Sequence, residues 1–440
     1  MNALKEMQVP GEPPNLSPKA LRKISNRLIA AQGRLSDVPV RDIAAWIGAA
    51  AARWRDLNDP VRREAEGALP QACGLSKEMV REVLDDLFGQ LTEAALLGLL
   101  ESELGDPAVL DRFRPRKGKE GNVRAFGPRL ITQILPGNIL GVSVVSLVCG
   151  LLVKSANLLR VSREELPLIA LFATSLKAVW PELGDAVAVL TWDKTREDLT
   201  HAAFEKADCA IVYGNNTTLA AVRPHIPVTA KTIFHGHKLS LGVIAREATG
   251  VDLAEKAAID IVLYDQRGCL SPHLYYVESG GAASPHDFAK QLADALRAAA
   301  VKWPKGAVSA DEAGRIQQLR AALPLKGGAV FQSEKGVDWT VLFDPDPEFT
   351  ASPLSRTIWI KPVDDLSDIP PLLVPVGDLV QAVGVAASPE RAEALANTLS
   401  IIGGCRICAI GDMQRPPLHW HHDGAFRLLP LLRFVDWKGE

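Results

Sequence analysis

The sequence predicts an α/β protein in which a helical N-terminal region precedes two strand-and-helix domains, and three observations carry that expectation. The first hundred residues read as one helix after another. From Leu130 to Tyr213, short apolar strands alternate with helix-period segments, which implies βαβ units and a parallel sheet. From Thr232 onward strands and helices alternate again, and 440 residues is longer than a single core usually covers.

Met1–Asn15 contains three prolines and no apolar run, so it reads as a disordered start without a secretion signal. Ser17 followed by Pro18 is a helix opening, an N-cap with proline at the first helical position, and Leu21, Ile24, Leu28 and Ile29 supply an apolar stripe. Further helices are expected over 41–55, over 77–91 with Ser76 as cap, and over 93–104. Leu130–Leu135 is a strand, Pro136-Gly137-Asn138 a turn, and Ile139–Val153 a buried crossover helix. That apolar run falls short of the roughly 20 residues a membrane span requires and includes Ser143 and Ser146. Strands follow at Asn157–Val161, Ala186–Leu190 and Cys209–Tyr213, with helices over 165–179 and 198–206.

Later in the chain, Ile259–Tyr264 and His273–Val277 read as two strands flanking a polar turn. Helices are expected over 284–301 and 310–319, strands at Trp339–Phe343, Thr357–Ile360, Leu372–Val374 and Ala382–Val385, and a helix near 391–399. A parallel sheet binds ligands at the carboxyl ends of its strands, where Asn138, Arg160 and Gly214 fall.

Composition narrows the function classes. A content of 47% hydrophobic and 23% charged residues is that of a globular protein, and a net charge of −3 gives no electrostatic case for nucleic acid or an anionic membrane. Six cysteines without regular spacing indicate a reducing, cytoplasmic setting. Cys405-Arg-Ile-Cys408 lacks a second pair and reads as structural, and adjacent His421 and His422 in the His419–Asp423 stretch cannot easily face one ion, so no metal is expected. Neither GxGxxG nor GxxxxGK[ST] occurs, so pattern alone gives no nucleotide site.

The chemistry concentrates in the turn Asp265-Gln266-Arg267-Gly268-Cys269-Leu270-Ser271-Pro272. Gly268 allows close approach to the backbone, and Arg267 places positive charge near a thiol, which favours the thiolate. A lone cysteine at a strand end is more often a small buried hydrophobe. The surrounding residues shift that balance. Gln266-Arg267-Gly268-Cys269, followed by Ser271-Pro272 and an apolar strand, resembles the catalytic-cysteine segment of the aldehyde dehydrogenase superfamily, in particular its acyl-CoA reductase branch, the LuxC-like fatty acid reductases. Further matching segments extend the resemblance from about Gly121 to Gly424.

The resemblance implies an aldehyde-dehydrogenase-like fold: a Rossmann-type cofactor domain with the N-terminal helices (16–234), an α/β catalytic domain (235–405), and a segment packing back on the domain interface (406–440). Cys269 would be the nucleophile and the Asn138 side-chain amide, with the Cys269 N–H, would hold the oxyanion. Arg160-Val161-Ser162 is similar to the segment that meets the adenosine ribose, and Tyr213-Gly214-Asn215-Asn216-Thr217 to the one that opens the pyrophosphate-side helix. Arg160, Ser162, Gly214 and Asn215 are therefore the expected cofactor contacts, with NADPH preferred over NADH because a guanidinium grips a 2′-phosphate. Thr232–Val243 resembles the Glu-Leu-Gly-Gly-Lys stretch of the superfamily, with Phe234 at the position of the general-base glutamate and His235 and His237 as substitutes for that base.

The implied activity is reduction of an acyl-CoA, or another activated acyl donor, to the aldehyde. The alternatives are an oxidising aldehyde dehydrogenase, which the missing glutamate disfavours, and a non-catalytic scaffold. The partner expectation leaves open a homo-oligomer or a protein that supplies the acyl group.

Overall fold

The computed structural model describes residues 16–116, 118 and 120–438; the start expected to be disordered, 1–15, lies outside them. The chain forms two compact units. The first runs to Cys73 and resumes over Arg81–Gly236 and from Pro417; the second comprises Gly74–Val80 and His237–Pro416.

The first unit opens with helices Pro18–Ser36, Val40–Arg55 and Pro60–Cys73, and includes Glu93–Leu104; a further helix, Lys77–Gln90, begins in the second unit and ends in the first. Ser17 caps the first helix as its sequence implies, its Oγ accepting the Ala20 N–H at 3.3 Å, and Ser76 does the same for Met79 at 3.1 Å. The helix Pro60–Cys73 lies outside the sequence expectation, and Pro70 falls in its last turn. Trp54 ties these helices to the helix Leu166–Val179: it stacks on Phe88 at 4.4 Å, meets Phe172 edge-on, and donates its indole N–H to Ser175.

Strand β1 (Arg114–Pro115) pairs with β2 (Asn122–Phe126) ahead of the main sheet. That sheet is built from β3 (Leu130–Ile134), β4 (Ala156–Arg160), β5 (Val187–Leu190), β6 (Cys209–Tyr213) and β7 (Lys231–His235), all parallel, in the order β5-β4-β3-β6-β7. Helices Val142–Leu152, Leu166–Val179 and Glu197–Phe204 supply the crossovers. The central strand β3 is buried along its whole length, as a parallel strand covered on both faces must be.

In the second unit β8 (Leu239–Ile244), β9 (Pro272–Glu278), β10 (Ala329–Gln332), β11 (Thr340–Phe343), β12 (Thr357–Val363), β13 (Val380–Ala386) and β14 (Arg406–Ala409) order as β10-β11-β12-β9-β8-β13-β14, with only the β10–β11 pair antiparallel. Its helices include Val251–Val262, Pro285–Lys302, Ala310–Ala322 and Pro389–Ile402. In the first unit β15 (Arg433–Trp437) completes the small sheet by pairing antiparallel with β2.

Two expected strands are helical. Ile259–Val262 is the last turn of the helix Val251–Val262, because Ala254, Ala257, Ala258 and Ile261 form a helix-period face that is buried, and this outweighs the β-branched residues at its end. Leu372 and Leu373 belong to the short helix Ile369–Leu373, where Pro370 and Pro371 preset helical φ and Ile369 and Leu373 bury on one face; Val374 continues into a 3₁₀ turn. Cys408 lies half-buried on β14, and burial pushes its thiol up to about 11, which keeps it an unreactive thiol at neutral pH. Among the described residues no helix is long and apolar enough to cross a membrane.

Candidate active site

In the second unit the cysteine turn is entered from a helix. After Val262 the chain reverses through Tyr264, Asp265 and Gln266, which all take left-handed φ of 52–62°. The loop then closes on itself: the Gly268 N–H donates to Ser271 Oγ and the Ser271 N–H donates to Gly268 O, each at 3.1 Å. Cys269, half-buried, sits at the apex. Its carbonyl accepts the Ser240 hydroxyl at 2.7 Å, and Ser240 Oγ in turn accepts the Ala382 N–H, so β8 and β13 fix the peptide that carries the thiol. Arg267, expected to face the thiol, donates its Nη2 to the Ala307 carbonyl at 2.8 Å. Burial pushes the Cys149 and Cys408 thiols up to about 11 and Cys209 up to about 12, so all three stay protonated at neutral pH.

In the first unit the expected cofactor and oxyanion residues gather at the carboxyl ends of the parallel strands. Asn138 lies in the exposed turn after β3. A Cβ on its neighbour Gly137 would come within 2.6 Å of Ser162 Oγ, so the loops after β3 and β4 interlock and only glycine fits between them. The same turn is anchored from behind by Glu165, a residue the sequence reading passes over as an ordinary helix start. Glu165 accepts the Gly141 N–H at 2.7 Å and contacts the Ser143 hydroxyl, thereby holding the first turn of the helix Val142–Leu152. Burial raises its carboxyl to about 7, against the pull of these two bonds.

Arg160 and Ser162 line a cavity of about 320 Å³ together with Arg163, Glu164, Trp192 and Lys194. Arg160 donates to the Trp192 carbonyl at 2.9 Å, which sets its guanidinium along the cavity wall. Gly214 ends β6 where a Cβ would meet Thr218 at 2.7 Å, and Asn215 caps the helix Asn216–Val222 by accepting the Thr218 N–H. Lys154, the basic residue just before β4, is buried against Asp111 at 2.6 Å and donates to Ser36 O, which makes it a structural residue.

Strand β7 points Phe234 and His235 to opposite faces. Phe234 packs on the cluster of Ile134, Phe204, Val212 and Val222, with the Arg223 guanidinium 5.3 Å from its ring centre. No carboxylate stands at this position. His235 gains a partner that sequence reasoning missed: its Nδ1 lies 2.6 Å from Asp423 Oδ2. The rings of Tyr213 and His422 stack with it at 4.3 and 4.4 Å and lie 5.9 Å from each other. His235, His422 and Asp423 bring their ligand atoms within 4.8 Å of one another. Their ring geometry does not suit an ion, because imidazole lone pairs lie in the ring plane and the two planes are nearly parallel, 13° apart. Burial instead drives His422 down to about 3, keeping it neutral.

The first unit is a parallel-sheet unit with a cavity that three basic residues line beside Glu164 and Asp193, and the second an α/β unit presenting a cysteine on a pinned turn. The family profile described as acyl-CoA reductase (LuxC) matches residues 35–434. The chain is a member of the LuxC family. A long-chain acyl-protein thioester reductase of Vibrio harveyi is 24% identical over 340 residues, 76% of this chain and 70% of the relative. One from Photobacterium phosphoreum is 23% identical over 416 residues, 93% and 83% of the two chains. Among solved structures, glyceraldehyde-3-phosphate dehydrogenase GapN from Methanocaldococcus jannaschii, complexed with NADP, aligns with a TM-score of 0.73 at 12% identity over 97% of this chain and 96% of its own. The lactaldehyde dehydrogenase of Escherichia coli gives 0.73 at 13% over 97% and 92%. The LuxC-family chain therefore has the aldehyde-dehydrogenase-like fold that its sequence implies. Glu165, Ser240 and Asp423, which bond to candidate-site residues or their neighbours, carry no motif; each meets a partner between about 20 and 190 positions away.

Proposed function

We propose that this chain reduces a long-chain acyl thioester to the aldehyde at the expense of NAD(P)H, through an acyl group carried on Cys269. The observation that carries the reading is the pinned cysteine turn on a LuxC-family chain whose position 234 holds a packed phenylalanine instead of a carboxylate. The acyl donor is acyl-CoA by the family description and an acyl-protein by the relatives' names, and both present the same thioester carbonyl.

Cys269 attacks that carbonyl as the thiolate; its sulfur forms a new thioester while the donor's thiolate departs and takes up a proton. The Asn138 amide and the Cys269 N–H are the donors for the oxyanion that develops, and removing one such donor typically lowers turnover about 100- to 1000-fold. The cavity beside Arg160, Ser162, Arg163 and Lys194 fits a phosphorylated ribose, since it joins cationic groups to a hydroxyl at the carboxyl ends of β4 and β5. A nicotinamide dinucleotide held by its phosphorylated ribose at these residues would supply a hydride to the acyl carbon. Cys269 holds the reduced acyl group as a thiohemiacetal, whose C–S bond breaks to release aldehyde and restore the thiolate. With Phe234 where the oxidising enzymes of this fold have a base, water is not activated against the thioester. The direct test is a panel of acyl-CoA chain lengths and acyl-protein thioesters, followed by NADPH and NADH absorbance. Aldehyde formed in step with cofactor oxidation supports the reading; oxidation of aldehydes alone overturns it.

A further inference from the structure

Two runs of three non-glycine residues occupy the left-handed region in the second unit: Tyr264, Asp265 and Gln266, with φ of 54, 52 and 62°, and Leu354, Ser355 and Arg356, with φ of 63, 56 and 55°. Single left-handed residues are ordinary, but each member of such a run is disfavoured by its own Cβ, so a run persists only where its surroundings hold it. Here the two runs hold each other. The Asp265 carboxylate lies 2.7 Å from the Arg356 guanidinium with both side chains fully buried. Gly306 donates its N–H to the other Asp265 oxygen at 3.0 Å, and Arg356 Nη1 donates to the Trp303 carbonyl at 2.8 Å.

Gln266 joins this brace to the cysteine turn. Its buried amide makes three bonds: Nε2 donates to Pro272 O at 2.8 Å and to Thr357 O at 2.9 Å, and Oε1 accepts the Thr357 N–H at 2.7 Å. Gln266 and Pro272 stand three residues before and three residues after Cys269, so one side chain ties the two ends of the loop that carries the thiol. The sheet does not need these bonds, because β9 is already paired with β12 and β8 on its two sides. At the loop's apex Ser240 grips the Cys269 carbonyl.

We propose that Gln266 and Ser240 are positioning residues for the reaction, fixing the Cys269 turn at its ends and at its carbonyl so that thiol and backbone N–H meet the thioester in one geometry. This rests on the reading of Cys269 as the acyl carrier. The tests are Gln266→Met, similar in size but without the amide, and Ser240→Ala, which removes only the grip on the carbonyl. Three readouts are taken: the single-turnover rate of Cys269 acylation by palmitoyl-CoA, its KM, and the rate and pH profile of Cys269 alkylation by iodoacetamide. A misplacement of about 1 Å lowers a rate about 100-fold. We expect Gln266→Met to slow acylation by about 10- to 100-fold and Ser240→Ala by about 3- to 10-fold. KM and the alkylation profile should stay as in the wild type, because a small electrophile needs no aligned carbonyl. Acylation at the wild-type rate in Gln266→Met overturns the inference, as does parallel loss of acylation and alkylation, which would mark a purely structural role. If Gln266→Met does not fold, an unchanged acylation rate in Ser240→Ala overturns it instead. A wild-type protein that acquires the acyl group at a residue other than Cys269 overturns the functional reading itself, an outcome distinct from a normal wild type with a normal variant.

Discussion

Glu165→Gln is expected to make the first unit more stable at alkaline pH, the reverse of what removing a buried charge partner usually does. Glu165 is buried, and its carboxyl is raised from the ordinary 4.5 to about 7, chiefly by burial. The fold therefore binds this proton more tightly than the unfolded chain does. Its stabilising contribution is complete below about pH 4.5, declines as pH rises, and is gone above about pH 7. The gap corresponds to about 3 kcal/mol at 1.36 kcal/mol per pH unit, an upper figure because a charged site can relax. Glutamine copies the protonated form: Oε1 can accept the Gly141 N–H and Nε2 can donate to Ser143 Oγ. Because other buried groups titrate in the same range, the informative quantity is the difference between wild type and variant, measured by thermal unfolding from pH 5 to pH 8.5. The difference should be small at pH 5, a few degrees at most, and favour Glu165→Gln at pH 8.5 by up to about 10 °C, at about 2–4 °C per kcal/mol. A variant less stable than wild type across the whole range would refute the reasoning, since it would show that the ionised carboxylate is the form the fold requires.

Three further outcomes follow from the same geometry. Lys194→Ala and Arg160→Ala should raise the KM for NADPH about 10- to 100-fold more than that for NADH, the range of a lost charge-assisted bond; equal effects on both cofactors would assign these residues to the cavity wall alone. His273, driven down to about 4 by burial, contributes stability that is complete above about pH 6.5 and is lost as pH falls through about 4. Since its Nδ1 accepts the Ser352 N–H, His273→Asn can keep that acceptor and should shift the acid unfolding midpoint of the second unit to lower pH; an unchanged midpoint counts against this origin. Cys269→Ala should abolish acylation and aldehyde formation while melting within a few degrees of wild type, and residual reductase activity in that variant would remove Cys269 from the mechanism.

The parallel sheet of the first unit was legible because its strands are short, apolar and separated by helix-period segments, and the pattern from Leu130 to Tyr213 states this locally. The entry to the cysteine turn was not. Ile259 and Ile261-Val262 have strand propensity, and only packing of the alanine face shows that they finish a helix. Strands β2 and β15 pair across some three hundred residues, so neither sequence window contains its partner. At the candidate site, Cys269 and Arg160 are proposed from sequence because nucleophiles and cations announce themselves by type. Gln266 lies in the same turn, but its bonds are to Thr357 and Pro272, and Asp423 meets His235 only because the tail returns to β7. Positions that act through tertiary partners are invisible to local reading.

The central claim, a long-lived acyl group on Cys269, is tested most directly by mixing the protein with palmitoyl-CoA in the absence of reduced cofactor. The account predicts a near-stoichiometric burst of coenzyme A and a matching mass increase on the Cys269 peptide. Slow turnover should follow, because a positioned base, worth about 100- to 10,000-fold in rate, is missing where Phe234 stands. Adding NADPH should then discharge the acyl group as aldehyde. Continuous release of coenzyme A and free fatty acid, with no mass gain at Cys269, would contradict the account and point to a working base such as His235 with its Asp423 partner.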